Sequence, residues 1–200
     1  SLPIDMEVMK ADILCFSGHK SLFSIQGVGA LYVRSGIELT PLKFGGTGSK
    51  SESIQHPTFL PDRYECGTPN TPGIASLLGG LTFNEQEGLG TIMDRKRALR
   101  RMLVEGLRAI RGVEVYGHKG PKDASFLATA AFNIKGLLPS DVGYELNRRS
   151  MYVRIGLHCA PMAHQTVGTF PNGSLRASPG YFTQEDDIRA FIEAVSEIAE

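Results

Sequence analysis

The sequence predicts an α/β protein in two parts, the first over residues 1–90 and the second, a small α/β domain, over residues 91–200. Short apolar runs of strand length alternate with longer segments whose apolar residues recur every three or four positions. A stretch rich in Gly, Pro, Ser and Thr, residues 36–70, separates the first strand-like runs from the first helical pattern. With 42% apolar residues, the chain can form a hydrophobic core.

The first part begins with two apolar runs, residues 11–17 and 27–33, which we interpret as strands joined by a turn. Lys20 is then expected at the end of a buried strand. Residues 36–70 are predicted to be long connecting loops, which are usually functional. A helix is predicted to start with Thr71 as its cap and Pro72 at its first position, and to end near residue 88.

The second part is predicted to begin with a helix over residues 91–110. Basic side chains crowd one side of this helix, and we interpret them as a solvated face: Arg95, Lys96, Arg97, Arg100 and Arg101. Strands are expected over residues 113–116 and 127–134, a helix over 140–149, and strands over 151–155 and 174–178.

The last helix is predicted to open with a variant of the capping box, Thr183-Gln184-Glu185-Asp186. Apolar residues follow at helical spacing, so one face of this helix should be buried. That face comprises Ile188, Phe191, Ile192, Val195 and Ile198.

Charge and cysteine content exclude several functional classes. Lys plus Arg and Asp plus Glu both number 21, so we expect no nucleic-acid or membrane surface. No apolar stretch reaches the length of a membrane span and the first residues do not resemble a signal peptide, which favours a cytoplasmic protein. Cys15, Cys66 and Cys159 are far apart, which argues against a disulfide framework or a zinc site. Cys15 and Cys66 are interpreted as structural.

The segment Ser17-Gly18-His19-Lys20 could bind an aldehyde cofactor. A lysine amine can form a Schiff base when burial and nearby positive charge lower its pKa. Ser17 and His19 have donors suited to a phosphate beside it. An ordinary turn with a surface lysine would give the same four residues.

The segment Arg154-Ile155-Gly156-Leu157-His158-Cys159-Ala160 places a thiol close in sequence to cationic side chains. Such neighbours favour the nucleophilic thiolate, although a buried cysteine can also be a small apolar core residue. Arg154 and Arg176 are candidates to bind a carboxylate, because the guanidinium group matches two carboxylate oxygens, but each could instead form a structural salt bridge. The histidines near Cys159 fit no common zinc spacing, so no metal site is expected.

Taken in order, five segments resemble the class V aminotransferase superfamily and, within it, the cysteine desulfurases. They are Ser17–Lys20, Gly27–Val33, Glu65–Thr71, Arg154–Ala160 and Leu175–Ser178. The resemblance implies the later part of the large domain of a fold type I, pyridoxal-phosphate-dependent transferase, followed by a small C-terminal α/β domain. It also implies a homodimer with shared active sites.

Carried over to this sequence, the resemblance implies that Lys20 holds pyridoxal phosphate covalently and removes the substrate's α-proton. Ser17 and His19 would bind the cofactor's phosphate. Thr68 would reach the phosphate of the cofactor in the neighbouring subunit.

For the substrate, the resemblance implies that Arg176 binds the carboxylate of L-cysteine, with Arg154 assisting. Cys159 would accept the sulfur as a persulfide and leave L-alanine, and a dedicated acceptor protein could then take the sulfur. Two alternatives stay open. One is another reaction on the same scaffold, such as selenocysteine lysis, transamination or β-elimination. The other is a non-catalytic sulfur-carrier or assembly module.

In the family, an aspartate at the pyridine nitrogen, a ring-stacking histidine and a first phosphate-binding loop precede the lysine motif. This sequence has no counterpart of them. We therefore expect the chain to be the later part of a longer polypeptide, and on its own to bind pyridoxal phosphate poorly and to be inactive. Strands in its first part should then have unpaired sheet edges.

Overall fold

A computed structural model describes residues 3–117 and 127–200. The chain divides into two compact units, Ser1–Leu89 and Gly90–Glu200. The described residues include no helix that combines the length and the apolar character needed to span a membrane.

The first unit contains a small antiparallel sheet, a helix after a long loop region, and a short helix at its start. Its described elements are α1 (Met6–Met9), β1 (Ile13–Ser17), β2 (Gly29–Val33) and α2 (Thr71–Glu87). Both predicted strands are confirmed with slightly shorter bounds, and α1 was not predicted. Residues 36–70, all of them described, contain neither helix nor strand, which confirms the predicted loops.

Strand β1 is exposed, and the prediction of a buried strand before Lys20 is wrong. Every residue of β1 except Leu14 is exposed. Cys15 lies in this strand and is exposed too. The reason is that, among the described residues, β1 pairs with β2 and with no further strand.

Helix α2 is capped one residue earlier than predicted. The side-chain oxygen of Asn70 accepts a hydrogen bond of 3.1 Å from the Gly73 amide. Asparagine is among the best N-cap residues because its oxygen reaches the free amides of the first turn. The Asn70 amide group also donates to the Gly27 carbonyl at 3.0 Å, which ties the start of α2 to the residues before β2.

The described part of the second unit consists of a four-stranded sheet with helices. Its helices are α3 (Leu89–Ala109), α4 (Pro139–Arg148), α5 (Pro161–Thr166) and α6 (Glu185–Ala199), and its strands are β3 (Val113–Tyr116), β4 (Ala130–Ile134), β5 (Arg154–Gly156) and β6 (Ser174–Ala177). The strand order is β3-β4-β6-β5, and all neighbours are antiparallel. Side chains from helices and sheet form one core, whose most buried members include Leu103, Leu107, Phe132, Leu146, Leu175 and Val195.

Several element bounds differ from the prediction. Strand β5 has three residues and overlaps the expected strand 151–155 only at residues 154 and 155. Strand β4 begins at Ala130 rather than at residue 127. Helix α5 was not predicted, although Pro161 at its first position is a recognised start signal. The capping box of α6 lies one residue later, because the Gln184 amide donates to the Asp187 carboxylate at 2.8 Å.

The burial of α6 agrees with the prediction, whereas that of α3 differs at one residue. On α6, Ile188, Phe191 and Val195 are buried, and the isoleucines at 192 and 198 pack partly buried against the core. On α3, the basic face was expected to be solvated, but Arg100 is only 8% exposed. Its Nε donates to the Thr129 carbonyl at 2.9 Å, which compensates a buried donor.

Candidate active site

The lysine motif forms a turn directly after β1. The Gly18 amide donates to the Val28 carbonyl at 2.9 Å, and the Gly18 carbonyl accepts from the Ser24 amide at 3.1 Å. The Lys20 carbonyl accepts from the Phe23 amide at 3.2 Å. Backbone hydrogen bonds therefore hold both ends of the turn that carries Lys20.

Helix α2 packs against the residues that follow Lys20. The Asn84 side chain donates to the Ser21 carbonyl at 3.4 Å, and Ser24 donates to the Gly73 carbonyl at the same distance. A Cβ atom at Gly80 would overlap the Leu22 carbonyl oxygen, so only glycine allows this close approach. The lysine turn thus depends on α2 for its position.

The chemistry of the exposed side chains in this turn fits pyridoxal phosphate. Ser17, His19 and Lys20 are exposed, and no other described residue forms a hydrogen bond or ion pair with their side chains. A primary amine is what an aldehyde requires, and a hydroxyl and an imidazole are donors that a phosphate accepts.

Thr68 belongs to the same unit and is exposed in the loop region. Next to it, Gly67 has a φ of 83°, and its amide donates to the Gly46 carbonyl at 2.8 Å. This bond holds the segment next to the exposed Thr68 against the glycine-rich loop.

In the second unit, Cys159 lies on a tight turn between β5 and α5. The Ala160 amide donates to the Leu157 carbonyl at 2.8 Å, and His158 and Cys159 have φ values of 52° and 61°. Positive φ at both central residues is the geometry of a type I′ turn. For residues other than glycine this conformation costs about 1–2 kcal/mol each. Cys159 is exposed, so the prediction of a reactive rather than a buried cysteine is the one that the geometry favours.

The two candidate arginines are cross-strand neighbours. Arg154 on β5 pairs in register with Arg176 on β6. Arg154 Nη2 donates to Cys159 Sγ at 3.4 Å, so a guanidinium group lies beside the thiol. The Nε of Arg176 is buried and has no hydrogen-bond partner among the described residues. This arginine therefore retains a donor for a ligand such as a carboxylate.

Polar side chains that the sequence analysis did not assign lie around the turn. His158 Nε2 is 3.3 Å from Ser174 Oγ, and the rings of His158 and His164 have centroids 5.3 Å apart. His164 Nδ1 is 2.7 Å from Thr169 Oγ1. No sequence pattern reveals this set, because it depends on strand register and on α5.

Burial lowers the pKa of His158, and the neighbouring Arg176, His164 and Arg154 lower it further. The imidazole of His158 is therefore neutral over a wider pH range than usual. In the described parts of the chain, no group of three His, Cys, Asp or Glu side chains is arranged to hold a metal ion.

The structure brings together Arg154, Arg176 and Cys159 in the second unit. Lys20 and Thr68 belong to the first unit.

Comparison with known protein families shows that the aminotransferase class-V family matches residues 1–191. The chain belongs to this family.

Several relatives of this class V chain are cysteine desulfurases. The probable cysteine desulfurase of Pyrococcus abyssi is 31% identical over 98% of the chain and 49% of its own length. A cysteine desulfurase structure from Thermococcus onnurineus is 30% identical with a TM-score of 0.82, covering 97% of this chain and 48% of that one. An Escherichia coli cysteine desulfurase structure is 25% identical with a TM-score of 0.83, covering 98% and 48%.

The chain thus spans about half the length of the curated relatives and solved structures that it matches. The likeness confirms the predicted α/β fold of a fold type I transferase.

Proposed function

We propose that the whole protein carrying this sequence is a pyridoxal-phosphate-dependent cysteine desulfurase. It converts L-cysteine to L-alanine and leaves the sulfur as a persulfide on Cys159. The main support is the exposed Cys159 thiol, which the Arg154 guanidinium contacts at 3.4 Å on a turn of unusual backbone geometry. A thiol that is both accessible and close to a cation is suited to nucleophilic attack.

Pyridoxal phosphate, when bound, would supply an aldehyde for the amino group of the substrate and a ring that accepts electrons. The Lys20 amine would hold the aldehyde, and after its displacement would take the α-proton of the substrate. Ser17 and His19 would donate to the phosphate. Thr68 would do so for the cofactor of the neighbouring subunit, in a homodimer with shared sites.

In the sulfur-transfer step, the Cys159 thiolate would attack the sulfur of L-cysteine. An S–S bond forms while the substrate's C–S bond breaks, and the electron pair of that bond stays with the carbon skeleton that becomes L-alanine. Arg176 would hold the substrate carboxylate by its guanidinium group. Arg154 would stabilise the thiolate before the attack.

We further propose that residues 1–90 are the later portion of the cofactor-binding large domain and that residues 91–200 are the small domain. A separate acceptor protein would collect the persulfide sulfur, and the protein would act in the cytoplasm. Neither a nucleic acid nor a membrane is proposed as a partner.

The test is the intact mass of the whole protein after incubation with pyridoxal phosphate and L-cysteine. We expect a gain of one sulfur atom that a reductant removes and that Cys159→Ser abolishes. Cys15→Ser, which removes an exposed cysteine of the first unit, is the matched control and should still gain the sulfur. If no sulfur is added although Lys20 holds the cofactor, the protein performs a different reaction.

A further inference from the structure

Buried polar side chains support the turn that carries Cys159. Ser174 is fully buried, His164 is 6% exposed and Thr169 is 8% exposed. Buried polar groups are unfavourable unless they are hydrogen-bonded, and a native protein seldom retains several together without a use for them.

The cluster reaches the reactive turn through His158, the residue directly before Cys159. One face of its ring lies against His164, at a centroid distance of 5.3 Å and an interplanar angle of 51°. Its Nε2 lies 3.3 Å from Ser174 Oγ on β6. His158 is therefore held from two directions, by α5 and by the sheet.

His164 is itself fixed in place. Its Nδ1 is 2.7 Å from Thr169 Oγ1, and its carbonyl accepts from the Thr169 amide at 2.9 Å. The end of α5 and the residues after it thus form a small polar platform. The platform contacts His158, whereas Cys159 itself is exposed.

We propose that His158 and His164 are positioning residues that hold the Cys159 turn in its left-handed conformation and so keep the sulfur beside Arg154. This inference rests on the proposed function, since it assigns the two histidines to the sulfur-transfer step. Neither histidine contacts a reacting atom in this role. Without them the turn would relax toward more favourable φ values, and the thiol would lose its fixed direction.

The charge of His158 matters for this support. The titratable or charged groups around it are Arg154 on β5, Arg176 on β6, His164 on α5 and the neighbouring Cys159. Protonation of His158 would add a third cation between two arginines and would repel them. The support should therefore operate while His158 is neutral and weaken in acid.

The experiment measures two steps in the cofactor-loaded whole protein. The absorbance change on mixing with L-cysteine reports substrate reaction at the cofactor, and quenched samples analysed by mass report persulfide formation on Cys159. The variants are His158→Ala, His164→Ala and His158→Gln, whose amide can still reach Ser174. Gln165→Ala, on the exposed side of α5, is the matched control.

We expect His158→Ala and His164→Ala to slow persulfide formation on the order of 10- to 100-fold while the early absorbance change stays within about twofold. His158→Gln should recover most of the rate and should lose the acid-side decline that we expect of the wild type. Gln165→Ala should match the wild type.

Wild-type persulfide rates in a folded, cofactor-loaded His158→Ala variant would overturn the proposal, as would an unchanged acid-side decline in His158→Gln. If His158→Ala does not fold, Ser174→Ala provides the same comparison, and a wild-type rate in it would count against the support. A wild-type protein that forms no persulfide at all would refute the proposed function instead.

Discussion

Cys159 combines an accessible sulfur with a backbone that an unsupported residue would seldom adopt. Its φ of 61° follows a φ of 52° at His158, and such conformations at non-glycine residues recur at functional sites. Among residues 3–117 and 127–200, its side chain has one polar contact, the donor from Arg154. We propose that, at this scale, the reactivity of Cys159 depends on the neighbouring Arg154 and on the neighbouring His158.

Arg154→Gln should slow alkylation of Cys159 by iodoacetamide about two- to fivefold near pH 7. The reason is that an exposed cation–thiolate pair contributes up to about 1 kcal/mol, and the neutral amide loses that contribution. The rate is measured by mass spectrometry over a pH series. Arg148→Gln, which removes an exposed arginine of α4 paired with Glu145, is the control. Equal slowing in both variants would contradict a specific contact.

Acid should reduce the stability of the second unit through His158. Its folded-state pKa lies below the ordinary 6.5, so below that pH the unfolded chain binds more protons than the folded one. Its contribution to stability is complete above about pH 6.5 and decreases as the pH falls toward the folded pKa. Denaturant unfolding across this range should show a weaker pH dependence for His158→Gln, but not for His19→Gln, which alters an exposed histidine.

Among the elements, α2 and α3 each contain a position whose environment differs sharply from that of its neighbour in sequence. On α2, Gly80 faces the Leu22 carbonyl, whereas nothing lies within 4 Å of a Cβ at Gly79. On α3, Arg100 is buried and Arg101 is exposed. Each pair offers a substitution and its control on the same helix.

Gly80→Ala should destabilise the first unit by about 1–3 kcal/mol, because the new methyl group overlaps the backbone after Lys20. Gly79→Ala should instead stabilise it by about 0.5–1 kcal/mol, since alanine loses less entropy than glycine in a helix. Denaturant unfolding of both variants tests the pair. A Gly80→Ala protein as stable as the Gly79→Ala protein would show that α2 does not approach Leu22 so closely.

Arg100→Ala should destabilise the second unit by about 2 kcal/mol, because it removes the charged donor to the Thr129 carbonyl and the packing of the side chain. Arg101→Ala should change the stability by less than about 0.5 kcal/mol, as is usual for exposed positions. Unfolding free energies of the two variants are compared directly. A change of less than about 0.5 kcal/mol in both would restore the interpretation of the whole basic cluster as a solvated face.

Over the whole molecule, the two units differ in how they cover their sheets. The second unit buries its sheet against helices, and Phe132 and Leu175 are fully buried. The small sheet of the first unit is largely uncovered, with Phe16 and Leu31 at 38% and 47% exposed beside a cavity of about 710 Å³. Exposed apolar surface on a sheet with open edges promotes association.

The 200-residue chain in isolation should therefore self-associate through its first unit. Sedimentation velocity at increasing protein concentration should show a growing oligomer fraction, and Leu31→Lys should reduce it by placing a charge on the open sheet. Tyr144→Lys, which alters a side chain on α4 that is 63% exposed, should have no such effect. A concentration-independent monomer would refute the prediction.

The sequence by itself determined the order of most elements, all but the short helices α1 and α5, and the family. Helices α2, α3, α4 and α6 follow from periodicity and end signals, and the ordered motifs from Ser17 to Ser178 indicated the class V fold. These features are local, so each can be recognised within a few turns of chain. The predicted strand bounds and helix caps differ from the observed ones by one residue or more, because neighbouring residues compete for the same hydrogen bonds.

Only the tertiary structure decided which residues meet and which are covered. The pairing of Arg154 with Arg176 depends on the register of β5 and β6, and the support under Cys159 needs Ser174 and His164 to converge from separate elements. Likewise, neither the burial of Arg100 nor the exposure of β1 could be inferred from side-chain type. Contacts between distant segments arise from packing of the whole chain, whereas a sequence pattern records only what neighbours along the chain prefer.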